Sequence, residues 1–117
     1  MDNLEIKAIT SDDFDEIYSI EITAYPFPWS EKILRSMVNG DEYKIKLTLC
    51  DKIIAYVFIL VVLDEATILN IAVDPKHQGK GLGKQLLQYV KSDLIEKNIA
   101  SLFLEVRESN LAARTLY

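Results

Sequence analysis

One segment limits the architectures open to this chain more than any other. An apolar, β-branched run, Ala66 to Val73, ends at Asp74-Pro75 and leads into Gln78-Gly79-Lys80-Gly81-Leu82-Gly83. From Leu82 the apolar positions Leu86, Leu87, Val90 and Leu94 return at helical spacing. Asn98 is placed to stop that helix near Lys97, and Leu102 to Val106 forms a second short apolar run. Strand, glycine turn, helix and strand make a βαβ unit, whose two strands run parallel with a right-handed crossover.

Upstream of this unit the periodicity is mostly that of strands. Leu4, Ile6 and Ala8 alternate with Glu5, Lys7 and Ile9, which predicts a first strand. Thr10 to Asp13 fits a capping box ahead of a helix carrying Phe14, Ile17, Tyr18, Ile20 and Glu21. Tyr25-Pro26-Phe27-Pro28-Trp29 breaks it, because each proline forces the residue before it out of the helical region. Ser30 then caps a second helix to about Val38, stopped by Asn39-Gly40. Tyr43, Ile45, Leu47 and Leu49 alternate as a strand, an Asp51-Lys52 turn leads into the apolar run Ile53 to Leu63, and Asp64-Glu65 turns into the strand before the glycines. The expected fold is α/β, with a mixed sheet, antiparallel first and parallel last, flanked by helices. Ser109-Asn110 opens a further helix that has barely begun at Tyr117.

With 117 residues, half of them hydrophobic, the chain can bury one core, and residues 1–117 read as a single domain. Ile53 to Leu63 spans eleven residues, against about 20 for a membrane-crossing helix. It reads as a buried strand, so no membrane association is expected. Met1 to Glu5 mixes charges with no apolar signal segment behind it, which suggests a cytoplasmic protein. Cys50 stands alone and reads as a strand residue, and no metal-ligand spacing is present. A net charge of −5 argues against direct binding to nucleic acid.

Against that acidic balance, Lys76, Lys80 and Lys84 cluster around the glycines with no acid between Pro75 and Lys84. Gly79, Gly81 and Gly83 let the backbone bend and bring amides close to an anion, and the helix that follows adds its dipole. A phosphate-bearing ligand suits this turn, although glycines there also serve a plain tight turn. Two other phosphate loops are excluded. A Walker loop needs Ser or Thr after Gly-Lys where this chain has Gly81, and the dinucleotide fingerprint needs a different glycine spacing.

Gln78-Gly79-Lys80-Gly81-Leu82-Gly83 resembles the pyrophosphate loop of the Gcn5-related N-acetyltransferase (GNAT) superfamily. Asp64-Glu65-Ala66-Thr67, Asn70-Ile71-Ala72-Val73-Asp74-Pro75, Phe27-Pro28-Trp29-Ser30-Glu31 and Leu104-Glu105-Val106-Arg107 through Leu116-Tyr117 are similar to segments of its RimI family. The resemblance implies acetyl-CoA as cosubstrate and the N-terminal alanine of a small-subunit ribosomal protein as acceptor. It further implies that Ile71, Ala72 and Val73 align the pantetheine arm like an added strand. Gly79, Lys80, Gly81, Leu82, Gly83 and Lys84 would hold the pyrophosphate, with Asn110 a further cofactor contact. Glu105 would be the general base and Tyr117 the general acid.

The chemistry suits these assignments. An α-amine has a pKa of about 7.7–8.0, so a carboxylate base has less to remove than from a lysine, and a phenol can protonate a departing thiolate. Bland readings stand beside them: Glu105 facing solvent or paired with Arg107, and Tyr117 as a packing residue. His77 reads as an exposed loop residue and Trp29 as a packing one. Relatives continue past the matching tyrosine with further strands, so the chain reads as C-terminally incomplete, with an open sheet edge that invites self-association. Two alternatives follow: a fragment that binds acetyl-CoA without turnover, and a lysine or small-amine acetyltransferase.

Overall fold

The computed structural model describes residues 3–104. Four strands form an antiparallel meander, β1 (Leu4–Ala8), β2 (Tyr43–Leu49), β3 (Lys52–Val62) and β4 (Glu65–Val73). A fifth, β5 (Ser101–Leu104), lies parallel to β4, giving the order β1-β2-β3-β4-β5. Helices α1 (Phe14–Ala24) and α2 (Glu31–Asn39) join β1 to β2, and α3 (Leu82–Glu96) makes the crossover from β4 to β5. This is the mixed α/β architecture expected from the glycine segment.

Helices on both faces of the sheet create two cores. Leu86, Leu87 and Val90 of α3 pack on Leu47, Val57 and Ile68, whereas Ile17 of α1 and Leu34 of α2 pack on Tyr56 and Phe58. The middle strand β3 is therefore covered on both sides, which is why Ile53 to Ile59 forms an unbroken apolar run. Beyond Ile59 the strand outruns its helices: Leu60, Val61 and Val62 are exposed, and Leu63 at the tip is 92% exposed. The sequence expectation of a buried strand thus fails for its last four residues.

Helix ends follow local chemistry. The Thr10 N–H donates to the Asp13 carboxylate at 2.8 Å, and the Ile33 N–H donates to Ser30 Oγ at 3.2 Å, as a capping side chain should. Asn98, at φ +63°, ends α3; its N–H reaches Ile95 O and the Ile99 N–H reaches Leu94 O, both at 3.0 Å, the paired bonds of a Schellman motif.

Both hairpin turns lie one residue earlier than expected. Cys50 and Asp51, at φ +52° and +67°, are the central pair of the first, so Cys50 is an exposed turn residue and not a strand residue. Positive φ at both positions matches the right-handed twist of the flanking strands. Leu63 and Asp64 make the second turn, which leaves Lys52 and Glu65 to open their strands.

A bulge in β4 controls what the strand presents. Phe58 faces Asn70 but Ile59 faces Ile68, so Leu69 is an extra residue. Ahead of it Ala66 and Ile68 face α3; beyond it Ile71 does. The bulge reverses the phase, sending Asn70 and Ala72 to the side of α1 and α2.

One polar contact ties β2 to α3. The Tyr43 hydroxyl donates to Asp93 Oδ2 at 2.5 Å, and Lys97 binds the same carboxylate at 3.0 Å. Burial, then the bond to Asp93, pushes the Tyr43 hydroxyl well above the usual tyrosine range. The bond from Tyr43, then that from Lys97, holds Asp93 below the ordinary carboxylate range. A depressed carboxylate contributes stability above its unfolded pKa and loses it as pH falls through the folded one. Asp93→Asn should therefore lower stability at pH 7 by about 1–2 kcal/mol, with the gap to wild type closing below pH ~4 in denaturant titrations.

Candidate active site

The start of α3 carries backbone amides that no described protein group accepts from. The chain leaves β4 through Asp74, whose N–H is fixed to Ile54 O at 2.8 Å and whose carboxylate accepts from the Lys76 N–H at 3.1 Å. A single 3-10 turn, Pro75–His77, follows and is closed by the His77 N–H on Asp74 O at 2.8 Å. Gly79 and Gly81 then sit at φ +82° and +76°, where a side chain is strained, although a Cβ at either position would meet nothing within 4 Å. Their role is conformational. The first α3 amide with a backbone partner is that of Gln85, on Gly81 O at 3.0 Å. The amides of Gly79 to Lys84 donate to no protein acceptor among the described residues. They lie at the positive end of the helix dipole, flanked by the exposed Lys76, Lys80 and Lys84. Gly83 is buried in the first turn of the helix.

The C-terminal half of β4 forms the adjoining wall. The Asp74 N–H points at β3, and backbone groups alternate along an antiparallel strand, so Ile71 and Val73 turn theirs away from β3. The Ile71 carbonyl accepts a hydrogen bond from the Tyr25 hydroxyl, and the Val73 carbonyl accepts from Gln78 Nε2 at 3.1 Å. Gln78 thereby ties the glycine turn back to the strand that precedes it. Among the described residues, β4 pairs with β5 from Glu65/Ser101 to Ile68/Leu104. Ile71, Ala72 and Val73 lie beyond that point and run directly toward the glycine turn.

A buried polar cluster borders the same stretch. Glu21, fully buried on α1, accepts from the Trp29 N–H at 2.7 Å, the Tyr56 hydroxyl at 2.6 Å and Asn70 Nδ2 at 2.8 Å. A buried carboxylate is tolerated only when its oxygens are bonded in this way. Sequence reading gave Glu21, Asn70 and Tyr25 no role in the site. Two signals were present: Glu21 stands four residues after Ile17 on the apolar stripe of α1, and Asn70 interrupts a β-branched run. Trp29 packs on Phe58 with ring centroids 6.0 Å apart, and His77 is half-buried on the 3-10 turn. Glu105, Asn110 and Tyr117 lie outside the described residues. A separate cavity of about 380 Å³ between α1 and the 3-10 turn, lined by Glu16, Thr23, Lys52 and Lys76 among others, includes neither the glycines nor Asn70.

A helix-opening glycine turn between β4 and its parallel neighbour β5 points to one family, and sequence comparison agrees: the profile of the acetyltransferase (GNAT) family matches residues 14–117. The chain belongs to the GNAT family. GNAT proteins transfer acetyl groups from acetyl-CoA, and by that membership and its near relatives this chain is an N-acetyltransferase. The ribosomal protein bS18-alanine N-acetyltransferase of Escherichia coli K12 is 45% identical over 113 residues, 96% of this chain and 76% of that protein. A crystal structure of the E. coli ribosomal-protein-alanine N-acetyltransferase superposes with a TM-score of 0.89 at 43% identity, over 97% of this chain and 74% of that one. The PaiA N-acetyltransferase of Thermoplasma acidophilum, crystallised with coenzyme A, shares the fold at a TM-score of 0.76 and 18% identity, over 97% of this chain and 86% of that one.

Because Gly79 and Gly81 are held at positive φ with open space around them, the cost of adding a methyl is backbone strain without a clash. Gly79→Ala and Gly81→Ala should each lower unfolding free energy by about 1–2 kcal/mol in urea titrations, leaving the cooperativity of the transition unchanged.

Proposed function

We propose that this GNAT protein moves the acetyl group of acetyl-CoA to the N-terminal α-amine of a ribosomal protein that begins with alanine. The observation that carries the reading is the pairing of the donor-lined glycine turn with the β4 backbone beyond the bulge. A pyrophosphate held by the amides of Gly79 to Lys84 leaves its pantetheine arm running along Ile71 to Val73, where the backbone polar groups of Ile71 and Val73 face away from β3. The near relatives named for acetylating a ribosomal-protein alanine favour that acceptor over a lysine or a small amine.

Acetyl-CoA supplies an activated acyl group and a thiolate leaving group. The chain's own residues do the rest. The glycine turn binds the anionic end through backbone donors, and Lys76, Lys80 and Lys84 raise the local potential. Glu105 is the proposed base, relieving the amine of its proton directly or through water, and Tyr117 the proposed acid for the departing sulfur. The net charge of −5 favours the approach of a basic N-terminal arm.

Calorimetric titration with acetyl-CoA, followed by thiol release on adding an alanine-initiated peptide, tests this directly. Saturable binding and peptide-dependent release are expected. Binding without release would replace the reading with a cofactor-binding chain that does not turn over. Glu105→Gln should lower kcat by about 10²–10⁴ with acetyl-CoA affinity unchanged; equal losses in both would remove Glu105 from the role of base.

A further inference from the structure

Asn70 is 3% exposed, yet its side-chain oxygen Oδ1 has no hydrogen-bond partner. Its orientation is imposed. Glu21 Oε2 is committed to the Trp29 N–H, and Oε1 takes the Tyr56 hydroxyl together with Asn70 Nδ2. A carboxylate so occupied can receive the NH₂ of an amide and repels its carbonyl, so Asn70 presents nitrogen to Glu21 and oxygen to the opposite side. The Leu69 bulge puts the side chain there in the first place, because regular alternation would have turned it into the core beneath α3. Buried amide carbonyls in native proteins nearly always find a donor. A bulge and a buried carboxylate that together leave one enclosed without a donor therefore point to a donor brought by a ligand.

The position of Asn70 identifies that donor. It immediately precedes Ile71 to Val73 and lies on the face that carries Tyr25, Trp29 and the α1–α2 loop. We infer that Asn70 Oδ1 accepts an N–H of the acceptor's terminal amino group, and that Glu21 is a positioning residue that fixes the direction of the Asn70 carbonyl. This inference rests on the acetyl transfer proposed above. An amine attacking a carbonyl must keep its lone pair toward the carbon, and a neutral acceptor on one N–H orients it without taking the proton, which goes to the base. The site thus recognises a primary amine, whereas the glycine turn recognises phosphate.

The test measures binding to the full chain loaded with coenzyme A, using an alanine-initiated peptide and the same peptide with a propionyl group in place of the alanine. Wild type should bind the amino peptide at least tenfold more tightly. Asn70→Ser should weaken the amino peptide about tenfold while the propionyl peptide and coenzyme A stay within twofold. Glu21→Gln, which lets the Asn70 amide turn over, should weaken the amino peptide about threefold to tenfold in the same selective way. Unchanged amino-peptide affinity in an Asn70→Ser variant that still binds coenzyme A would assign Oδ1 to an ordered water and overturn the inference. Equal affinity of wild type for the two peptides would overturn it even if neither variant folded. Selective peptide binding without thiol release from acetyl-CoA would instead count against the proposed reaction and leave amine recognition standing.

Discussion

Glu21 is a charge-bearing side chain with no access to water, and the layout of the site depends on how its oxygens are occupied. Donors reach it from the loop after α1, from β3 and from β4, so one carboxylate joins the helix layer to the two central strands. A buried carboxylate that loses donors incurs a penalty larger than the gain from a typical hydrogen bond. The cluster therefore holds α1 at a set distance from β4 more firmly than apolar packing alone, which tolerates sliding. Tyr25, one helical turn further along the chain, reaches the Ile71 carbonyl from the same direction.

Two irregularities in otherwise regular elements shape the proposed site. The Leu69 bulge reverses the facing of β4 just before Ile71 to Val73. The positive φ angles at Gly79 and Gly81 turn the chain into α3, where the amides of Gly79 to Lys84 meet no protein acceptor among the described residues. Neither feature strengthens the fold: a bulge forfeits ladder bonds, and a glycine loses more conformational entropy on folding than any other residue. Both make sense as provisions for a ligand with a polar arm and an anionic end, which is the demand that acetyl-CoA places on a GNAT protein.

Much of this was legible beforehand because it rests on short-range chemistry. The caps at Ser30 and Asn98, the break at Pro26 and Pro28, and the helix carrying Leu86, Leu87 and Val90 each depend on residues within a turn of one another. The turns slipped by one residue for a related reason. Cys50 and Leu63 look like strand residues by type, and only the twist of the paired strands places them at positive φ. Likewise the run Ile53 to Leu63 says that the strand is apolar but not how far the helices extend over it.

The sequence by itself determined the order of elements, the parallel crossover and the glycine turn, since periodicity and backbone sterics act locally and survive any reasonable packing. It also carried the family resemblance, which rests on the same local motifs. Only the tertiary structure decided which face Asn70 occupies, that Glu21 meets it from a helix 49 residues away in the chain, and that Tyr25 reaches β4. A bulge shifts a strand's phase only relative to its partner, and a buried carboxylate finds its donors only once separate layers have docked. Such contacts have no signature in any single window of sequence, because they are made by distances that folding creates.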